Sequence, residues 1–559
     1  MKPYFEEVKS ILKNVLPEDI DTEQIALEVP KELEFGDVAL PCFQFARVLR
    51  KSPNIIAQEL ASQIKPNDVI SKVEAVGPYV NFYLNKSKVA KDILESSLKQ
   101  NLVPKIDNKR VMVEFLNPNL NKPLHIGHLR NGALGESVSR ILESIGNNVI
   151  RANLYNDRGM GISETIYAYL YLSDKKEPDK KPDHFVGDLY VLFQRKKKEN
   201  PEIEEKAREI LKKYEEGDKE IIQVWKKIRD WVIQGYEETY KTFGFKFDKI
   251  YYESEIYKSG KDVVLDAYKR GIFFEEDGAI IAPLEKYNLP NKVVLKSDGT
   301  SLYITQDIYL AKRKFEDYKL DKSIYVVASE QNLHFAQLFR ICEMLGIAET
   351  DKMYHLSYGM VLLPSGKMKS REGKIIDADE FFEEIKGMAE QELSKRGKND
   401  KKLAEKIALS AINFYMLKID PKKDFVFNPE ESLSFEGQSG VYIQYTHARI
   451  ASLIRKYEES FGKVDFTKLN IKDLTHEEEK MISLLMQFPS VVEESANQYK
   501  PSIIANYLIK ISETFNSYYH STPIINSDNK ETRIGLSYIV KEILAKGLEL
   551  LNIEPLDEI

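Results

Sequence analysis

Cysteine is nearly absent from this chain of 559 residues: only Cys42 and Cys342 occur, far apart and in no CxxC pair. A disulfide scaffold and a Cys-based zinc site are therefore not expected, and the cytosol is the default compartment. Long apolar runs are missing too. None approaches the ~20 residues that a membrane-spanning helix needs, which excludes an integral helical membrane protein. The first residues, Met1-Lys2-Pro3-Tyr4-Phe5-Glu6-Glu7, lack a basic stretch followed by an apolar core, so no export signal is expected. Nor is there an excess of positive charge. Lysine and arginine number 81 against 88 aspartates and glutamates, a net charge of −7. Bulk charge thus implies no polyanionic partner, and any such contact must use a local basic patch. Fixed-period repeats and low-complexity tracts are also lacking, which disfavours solenoids and propellers.

What remains is a mixture able to fold, 43% hydrophobic and 30% charged with 11% aromatic residues. The length exceeds what one hydrophobic core supports, so about two to four domains are expected. Residues 1–104 combine helical apolar spacing over 55–64, after Pro53, with strand-like alternation over 79–84, an α+β pattern that ends near Pro104. A β-branched strand is predicted over 111–115, then a turn-rich stretch over 117–123. A helix follows on which Ile126, Leu129, Ala133, Leu134, Val138, Ile141 and Leu142 share one face. This strand–loop–helix order resumes at 149–154 and again at 324–328, which is how a parallel, Rossmann-like α/β domain is built. That domain is expected over 105–394 with an insertion at about 170–295. Within the insertion, 174–183 reads as a solvated loop and 195–242 as charged amphipathic helices. A basic, glycine-containing hinge at 395–402 opens the last segment, 395–559, whose helical spacing predicts an all-α bundle.

Two stretches carry chemistry. Pro123-Leu124-His125-Ile126-Gly127-His128 stands at the strand-to-helix junction, where free N–H groups and the positive end of the helix dipole suit a phosphate. Gly127 lets a ligand approach the backbone, and two imidazoles can donate to triphosphate oxygens whose charge rises during displacement. An isolated HxxH pair can equally be a helix cap, and no further ligand cluster accompanies it to suggest a metal. Far downstream, Ser365-Gly366-Lys367-Met368-Lys369-Ser370-Arg371-Glu372-Gly373-Lys374 is a cationic turn able to close on a polyphosphate, though such surface turns are common.

The strand, the HIGH turn, the insertion, the basic KM-S turn and the helical end, taken in that order, resemble class I aminoacyl-tRNA synthetases, and in detail the arginyl-tRNA synthetase family. The residues that carry the resemblance are Glu114-Phe115-Leu116-Asn117-Pro118-Asn119, Lys122 to Arg130, Ser297-Asp298-Gly299-Thr300-Ser301-Leu302-Tyr303 to Asp307, and Ser329-Glu330-Gln331-Asn332-Leu333-His334-Phe335. Leu433-Ser434-Phe435-Glu436-Gly437 and Tyr442 to Ile450 are similar to the family's DALR-type anticodon-binding segment. Glu34-Phe35-Gly36-Asp37-Val38-Ala39 and Gly77-Pro78-Tyr79-Val80-Asn81-Phe82 are similar to its added N-terminal, tRNA-contacting domain. Two departures stand out. Aligned on Met368 and Gly373, Lys369 replaces the usual serine of KMSKS and Ser370 its second lysine. The terminal stretch 553–559 matches the family only loosely.

The resemblance implies ATP-dependent attachment of L-arginine to the 3′ end of tRNA(Arg) through an arginyl-adenylate. His125, His128, Lys122 and Lys367 would be catalytic, with Lys369 a rival to Lys122 for the missing lysine's task. Pro118, Gly127, Met368, Lys369, Ser370 and Arg371 would bind ATP, which arrives with Mg²⁺; no tightly held protein metal is expected. Asn153 and Gln331 would hold the α-amino end of arginine, and Tyr303 and Asp307 its guanidinium. That last assignment makes chemical sense, because a carboxylate meets a guanidinium through two parallel hydrogen bonds. From spacing alone, Asp307 could instead pair with Lys312 or Arg313 on its helix surface. Tyr442, Tyr445, Arg449 and Arg455, with His447 nearby, offer planes on which unpaired anticodon bases stack, although at least two of these five are expected to be buried for packing. The family pattern implies a monomer in the cytoplasm. A cysteinyl enzyme would need zinc thiolates that this chain lacks. A small-molecule adenylating ligase would not need the helical end, and a non-catalytic RNA-binding relative would have lost a HIGH histidine or the pocket acid.

Overall fold

The computed structural model describes residues 2–18, 20–30, 32–362 and 376–559. The second signature turn, with Lys367, Met368, Lys369, Ser370 and Arg371, lies outside the described residues.

The N-terminal part opens with α1 (Lys2–Lys13) and builds an antiparallel sheet from β1 (Val38–Pro41), β2 (Ile70–Val76) and β3 (Tyr79–Leu84), in the order β1-β3-β2. Ser52 caps α2 (Pro53–Gln63) through the Ile55 N–H, and proline takes the first helical position, where its missing N–H costs nothing. Ile56, Ala57 and Leu60 supply the buried face. Asn85 caps α3 (Lys86–Leu98). Asp37 ties this part to the C-terminal helices: it accepts from Leu84 N–H, pairs with Lys86, and receives a hydrogen bond from Ser483 Oγ at 3.1 Å.

The central sheet comprises β4 (Arg110–Glu114), β5 (Asn148–Tyr155) and β6 (Lys249–Tyr252), with β10 (Lys322–Ala328) and β11 (Met353–Tyr358), all parallel in the order β11-β10-β4-β5-β6. Three strands, β7 (Phe274–Glu276), β8 (Ala279–Ala282) and β9 (Lys292–Leu295), form a separate antiparallel sheet between β6 and β10 in sequence. Chain order runs outward from β4 in one direction and from β10 in the other. The junction of β4 and β10 is thus a switch point, outside whose carboxyl ends such sheets open a ligand crevice. After β4, helix α4 (Ile126–Ser144) packs closely enough that a Cβ on Gly135 would lie 2.2 Å from the Phe115 ring.

The insertion differs from expectation. Helices α5 (Pro182–Glu199), α6 (Ile203–Glu216) and α7 (Lys219–Phe243) precede β6, and α8 (Glu253–Lys269) follows it. Residues 170–295 are therefore interrupted by an edge strand of the main sheet. Four residues flanked by charge carry too short a pattern to read as a strand. After α9 (Tyr303–Tyr318), β10, α10 (Asn332–Met344) and β11 complete the α/β layer.

The expected hinge at 395–402 is the turn of a helical hairpin. Helices α11 (Ala378–Lys395) and α12 (Lys401–Leu417) pack on each other across it, with Gly397 at φ 78°, and α12 also packs on α4. Helices α13 (Gly440–Phe461), α14 (Pro501–Ser521) and α15 (Lys530–Leu550), with the shorter helices His476–Leu485 and Phe488–Gln498, complete the bundle. Arg130 of α4, fully buried, fastens both regions by donating to the carbonyls of Gly359, Pro421 and Lys423 at 2.7 to 2.9 Å. Among the described residues no helix is long and apolar enough to cross a membrane.

Candidate active site

The chain leaves β4 through two consecutive non-glycine residues in the left-handed region, Leu116 (φ 75°) and Asn117 (φ 47°). Such a pair is strained and persists only where neighbours hold it. Here Asn131 Oδ1 accepts from Leu116 N–H at 2.7 Å, and Asn117 accepts from Leu154 N–H at 2.9 Å while donating to Glu114 at 3.1 Å. Glu114 is buried and paired with Lys314 of α9, so the helix bearing Asp307 is fastened to the strand that precedes the HIGH turn.

The two histidines cap each other's backbone. His125 is the N-cap of α4 and its Nδ1 accepts from Gly127 N–H at 3.1 Å, while His128 Nδ1 accepts from His125 N–H at 3.1 Å. The rings lie 3.9 Å apart. Because both Nδ1 atoms accept, the proton of each neutral ring sits on Nε2, which is left to donate elsewhere. Burial depresses the His125 pKa to about 4, with the Lys122 charge adding to the effect. Burial first, then His125 and Lys122, holds His128 well below its ordinary value. Both are therefore neutral donors at physiological pH. A Cβ on Gly127 would lie 3.0 Å from the His125 ring, so this glycine also keeps the cap geometry. Among the described residues no carboxylate pairs with Lys122.

The strand of backbone after the second signature returns beside this turn: Ile126 N–H donates to Ile376 at 3.2 Å and Ala378 N–H to Leu124 at 2.9 Å. Next to it Asp183, His184 and Asp379 bring potential metal-binding atoms together. The ammonium of Lys181 already occupies that spot, 2.5 Å from Asp379, 2.6 Å from Thr239 Oγ1 and 3.3 Å from Asp183. Lys181 and Asp183 were expected in a solvated loop. They instead begin α5 and are drawn inward by Asp379.

Across the crevice, Tyr303 and Asp307 lie in the first two turns of α9, and Gln331 and His334 follow the carboxyl end of β10. Tyr303 is 75% exposed, and Gln331 is exposed as well. Asp307 does not pair with Lys312 or Arg313, which bridge to Glu316 and Asp317; it accepts from His334 Nε2 at 2.7 Å. Sequence reading missed Glu253, the buried first residue of α8. Its carboxyl is pushed up to about 7 by burial, opposed by Arg158 and raised further by Asp157 and Asp307. Its signal is weak in sequence because β6 and α8 fall inside the presumed insertion. Asn153 departs from its expected place. It is fully buried beneath the loop, its Oδ1 accepting from Asn117 N–H at 3.1 Å and its amide donating to Tyr240 at 3.2 Å. The amide that meets solvent at this turn is Asn119. Pro118 is buried and its carbonyl accepts from Asn156 N–H.

In the helical bundle, Tyr445, Arg449 and Arg455 line a cleft of about 370 Å³ together with Tyr519 and the terminal Ile559. The Arg449 guanidinium lies 4.9 Å from the Tyr445 ring centre and 5.3 Å from that of Tyr519. Tyr442 is half-buried outside this cleft, and of the five candidates only His447 is buried, fewer than expected. The terminal stretch packs along α13, His447 Nδ1 meeting the Leu556 carbonyl at 2.7 Å.

Comparison with known proteins fits this geometry. The family model described as class I (R) tRNA synthetase catalytic domain matches residues 90–429. The chain belongs to the arginyl-tRNA synthetase family. The family's N-terminal domain matches 4–84 and the DALR anticodon binding domain 443–559. The arginine--tRNA ligase of Treponema denticola is 42% identical over 98% of this chain and 97% of its own length. That of Borrelia turicatae is 40% identical over 98% and 97%. The Thermus thermophilus arginyl-tRNA synthetase structure superposes with a TM-score of 0.81 at 27% identity, covering 100% of both chains. The Plasmodium falciparum enzyme, at 20% identity, a TM-score of 0.81 and coverage of 100% and 99%, shares the fold.

Proposed function

We infer that this chain is an arginine--tRNA ligase, which uses ATP to activate L-arginine and passes the arginyl group to the 3′ end of tRNA(Arg). One observation supports the reading: two neutral imidazoles with their Nε2 atoms left over and a carboxylate held by His334 stand at the carboxyl ends of two adjacent parallel strands, on either side of one switch point. The arginine carboxylate attacks the α-phosphorus of ATP, and diphosphate leaves. No protein nucleophile is required, so the side chains supply position and charge stabilisation. His125 and His128 donate from Nε2 to the phosphate oxygens, Lys122 and Lys367 contribute charge, and Pro118, Gly127, Met368, Lys369, Ser370 and Arg371 contact the nucleotide. Mg²⁺ arrives on the triphosphate. The described side chains of the HIGH turn itself, Lys122, His125 and His128, are donors, and the nearby Asp183 and Asp379 carboxylates are taken by Lys181, which fits a metal held by the nucleotide's own oxygens.

Asp307, Tyr303 and Glu253 receive the guanidinium, and Gln331 with the exposed Asn119, in place of the buried Asn153, holds the α-amino end. Tyr445, Arg449 and Arg455 stack on anticodon bases, with Tyr442 at the edge of that surface. We propose domain divisions near 105 and 395, a monomeric enzyme and a cytoplasmic location. Charging total tRNA with each amino acid in turn, with ATP and magnesium present, tests the reading; arginine alone should be transferred.

Two narrower tests follow. Lys122→Ala is expected to slow arginylation about 100-fold and Lys369→Ala much less; a larger loss at Lys369 hands it the missing lysine's task. Glu253, neutral below about 7, should ionise beside a cationic substrate. The arginine KM should therefore rise as pH falls from 8 to 6, and Glu253→Gln should bind arginine weakly with a flattened profile.

A further inference from the structure

Asp307 has two carboxylate oxygens, and only one is committed. Oδ2 receives the hydrogen bond from His334 at 2.7 Å, whereas among the described residues no side chain donates to Oδ1. A carboxylate only accepts, so His334 Nε2 carries the proton of this contact. The aspartate χ2 torsion is intrinsically broad, and an acid on an open helix face, 28% exposed, would sweep through many carboxylate orientations. Fork-shaped recognition tolerates few of them, because two parallel N–H groups must meet the carboxylate in its plane.

His334 itself is held from behind. Its ring lies edge-on to Phe335 at 5.5 Å, Phe335 stacks on His355 at 4.4 Å, and His355 Nε2 bonds the Val327 carbonyl of β10 at 2.9 Å. Tyr325 of β10 also packs on Phe335, the ring centres 5.3 Å apart. The sheet thus transmits its rigidity through three rings to one carboxylate oxygen. The alternative, a half-buried histidine that merely satisfies the start of α10, would not need this aim, since the α10 N-cap uses no side-chain bond.

We propose that His334 is a specificity-determining positioning residue: it fixes the plane of the Asp307 carboxylate so that the free oxygen edge meets the guanidinium of arginine. This rests on Asp307 being the guanidinium acceptor. His334 touches the acid and not the substrate, so its removal disorders recognition without removing the charge.

Steady-state arginylation by the full-length enzyme tests this with His334→Leu, which keeps bulk, His334→Gln, whose amide reaches the Nε2 position, Asp307→Ala, and the Asp307→Ala/His334→Leu double variant. His334→Leu should raise the arginine KM about 10- to 100-fold and erode the preference for arginine over citrulline in competition, while kcat and the ATP KM stay near wild type. His334→Gln should recover most of the loss. In the Asp307→Ala background His334→Leu should add nothing. Multiplicative losses in the double variant, or a His334→Gln as impaired as His334→Leu, overturn the proposal and leave the pocket reading intact. An unchanged arginine KM in Asp307→Ala overturns both. Should His334→Leu fold poorly, His334→Ala with Asp307→Ala and the Asp307→Ala/His334→Ala double variant gives the same cycle.

Discussion

Asp307→Ala should all but abolish arginine use. Truncating one partner of a close charge pair typically costs about 2–5 kcal/mol, or roughly 30- to 4,000-fold in affinity. The loss should fall on the arginine KM, with ATP saturation and tRNA binding unchanged, since Asp307 sits across the crevice from the HIGH turn and far from the helical bundle in the chain. Asp307→Asn is the sharper variant. It keeps the shape and the contact with His334 but removes the charge, so citrulline, which lacks the cation, should no longer be strongly disfavoured. Normal arginine saturation in either variant defeats the pocket assignment, and the acid at Glu253 would then be the first place to look for the guanidinium.

Much of this was legible because the relevant signals are local. The β-branched run at 111–115, the turn after it and the one-faced helix from Ile126 are each written within a few residues, and they fold as read. What escaped depends on contacts between distant segments. Strand β6 is four residues long and acquires its identity by pairing with β5, which no periodicity in its own sequence announces. Lys181 and Asp183 look like part of a solvated acidic-basic run until Asp379, nearly 200 positions later, draws them together. Asn153 has the chemistry of a ligand holder, yet its place in β5 turns it beneath the loop, where its amide supports the left-handed backbone of Asn117. Spacing alone suggested helix-surface partners for Asp307, and the true partner comes from the next helix over the sheet. The HIGH histidines show a different limit. Reading them as helix caps or as phosphate donors looked like a choice, whereas the structure shows the caps and leaves room for the proposed donors: each Nδ1 caps, which leaves each Nε2 available.

That double use sets the form of the decisive catalytic experiment. Alanine at both His125 and His128 should reduce kcat by about 1,000-fold or more, because a single preorganised donor to a developing phosphate charge is worth about 100- to 1,000-fold. The ATP KM should change far less, since these donors strengthen as charge builds. The same substitution also strips the cap from α4, at about 1 kcal/mol of stability, so a structural explanation competes. His125→Asn separates the two. An asparagine oxygen takes the place of the accepting Nδ1 and caps a helix well, while the outward Nε2 donor disappears. The expected outcome is a melting temperature close to wild type with the loss of one donor, about 100-fold or more in kcat. Measured across pH, the wild-type rate should show no titration of the two HIGH histidines between 5 and 8, because His125 protonates only near 4 and His128 is held neutral by deeper burial. If His125→Asn arginylates normally, or if the rate collapses as pH falls through 6.5 in an enzyme lacking the Glu253 carboxyl, the rings are caps and nothing more.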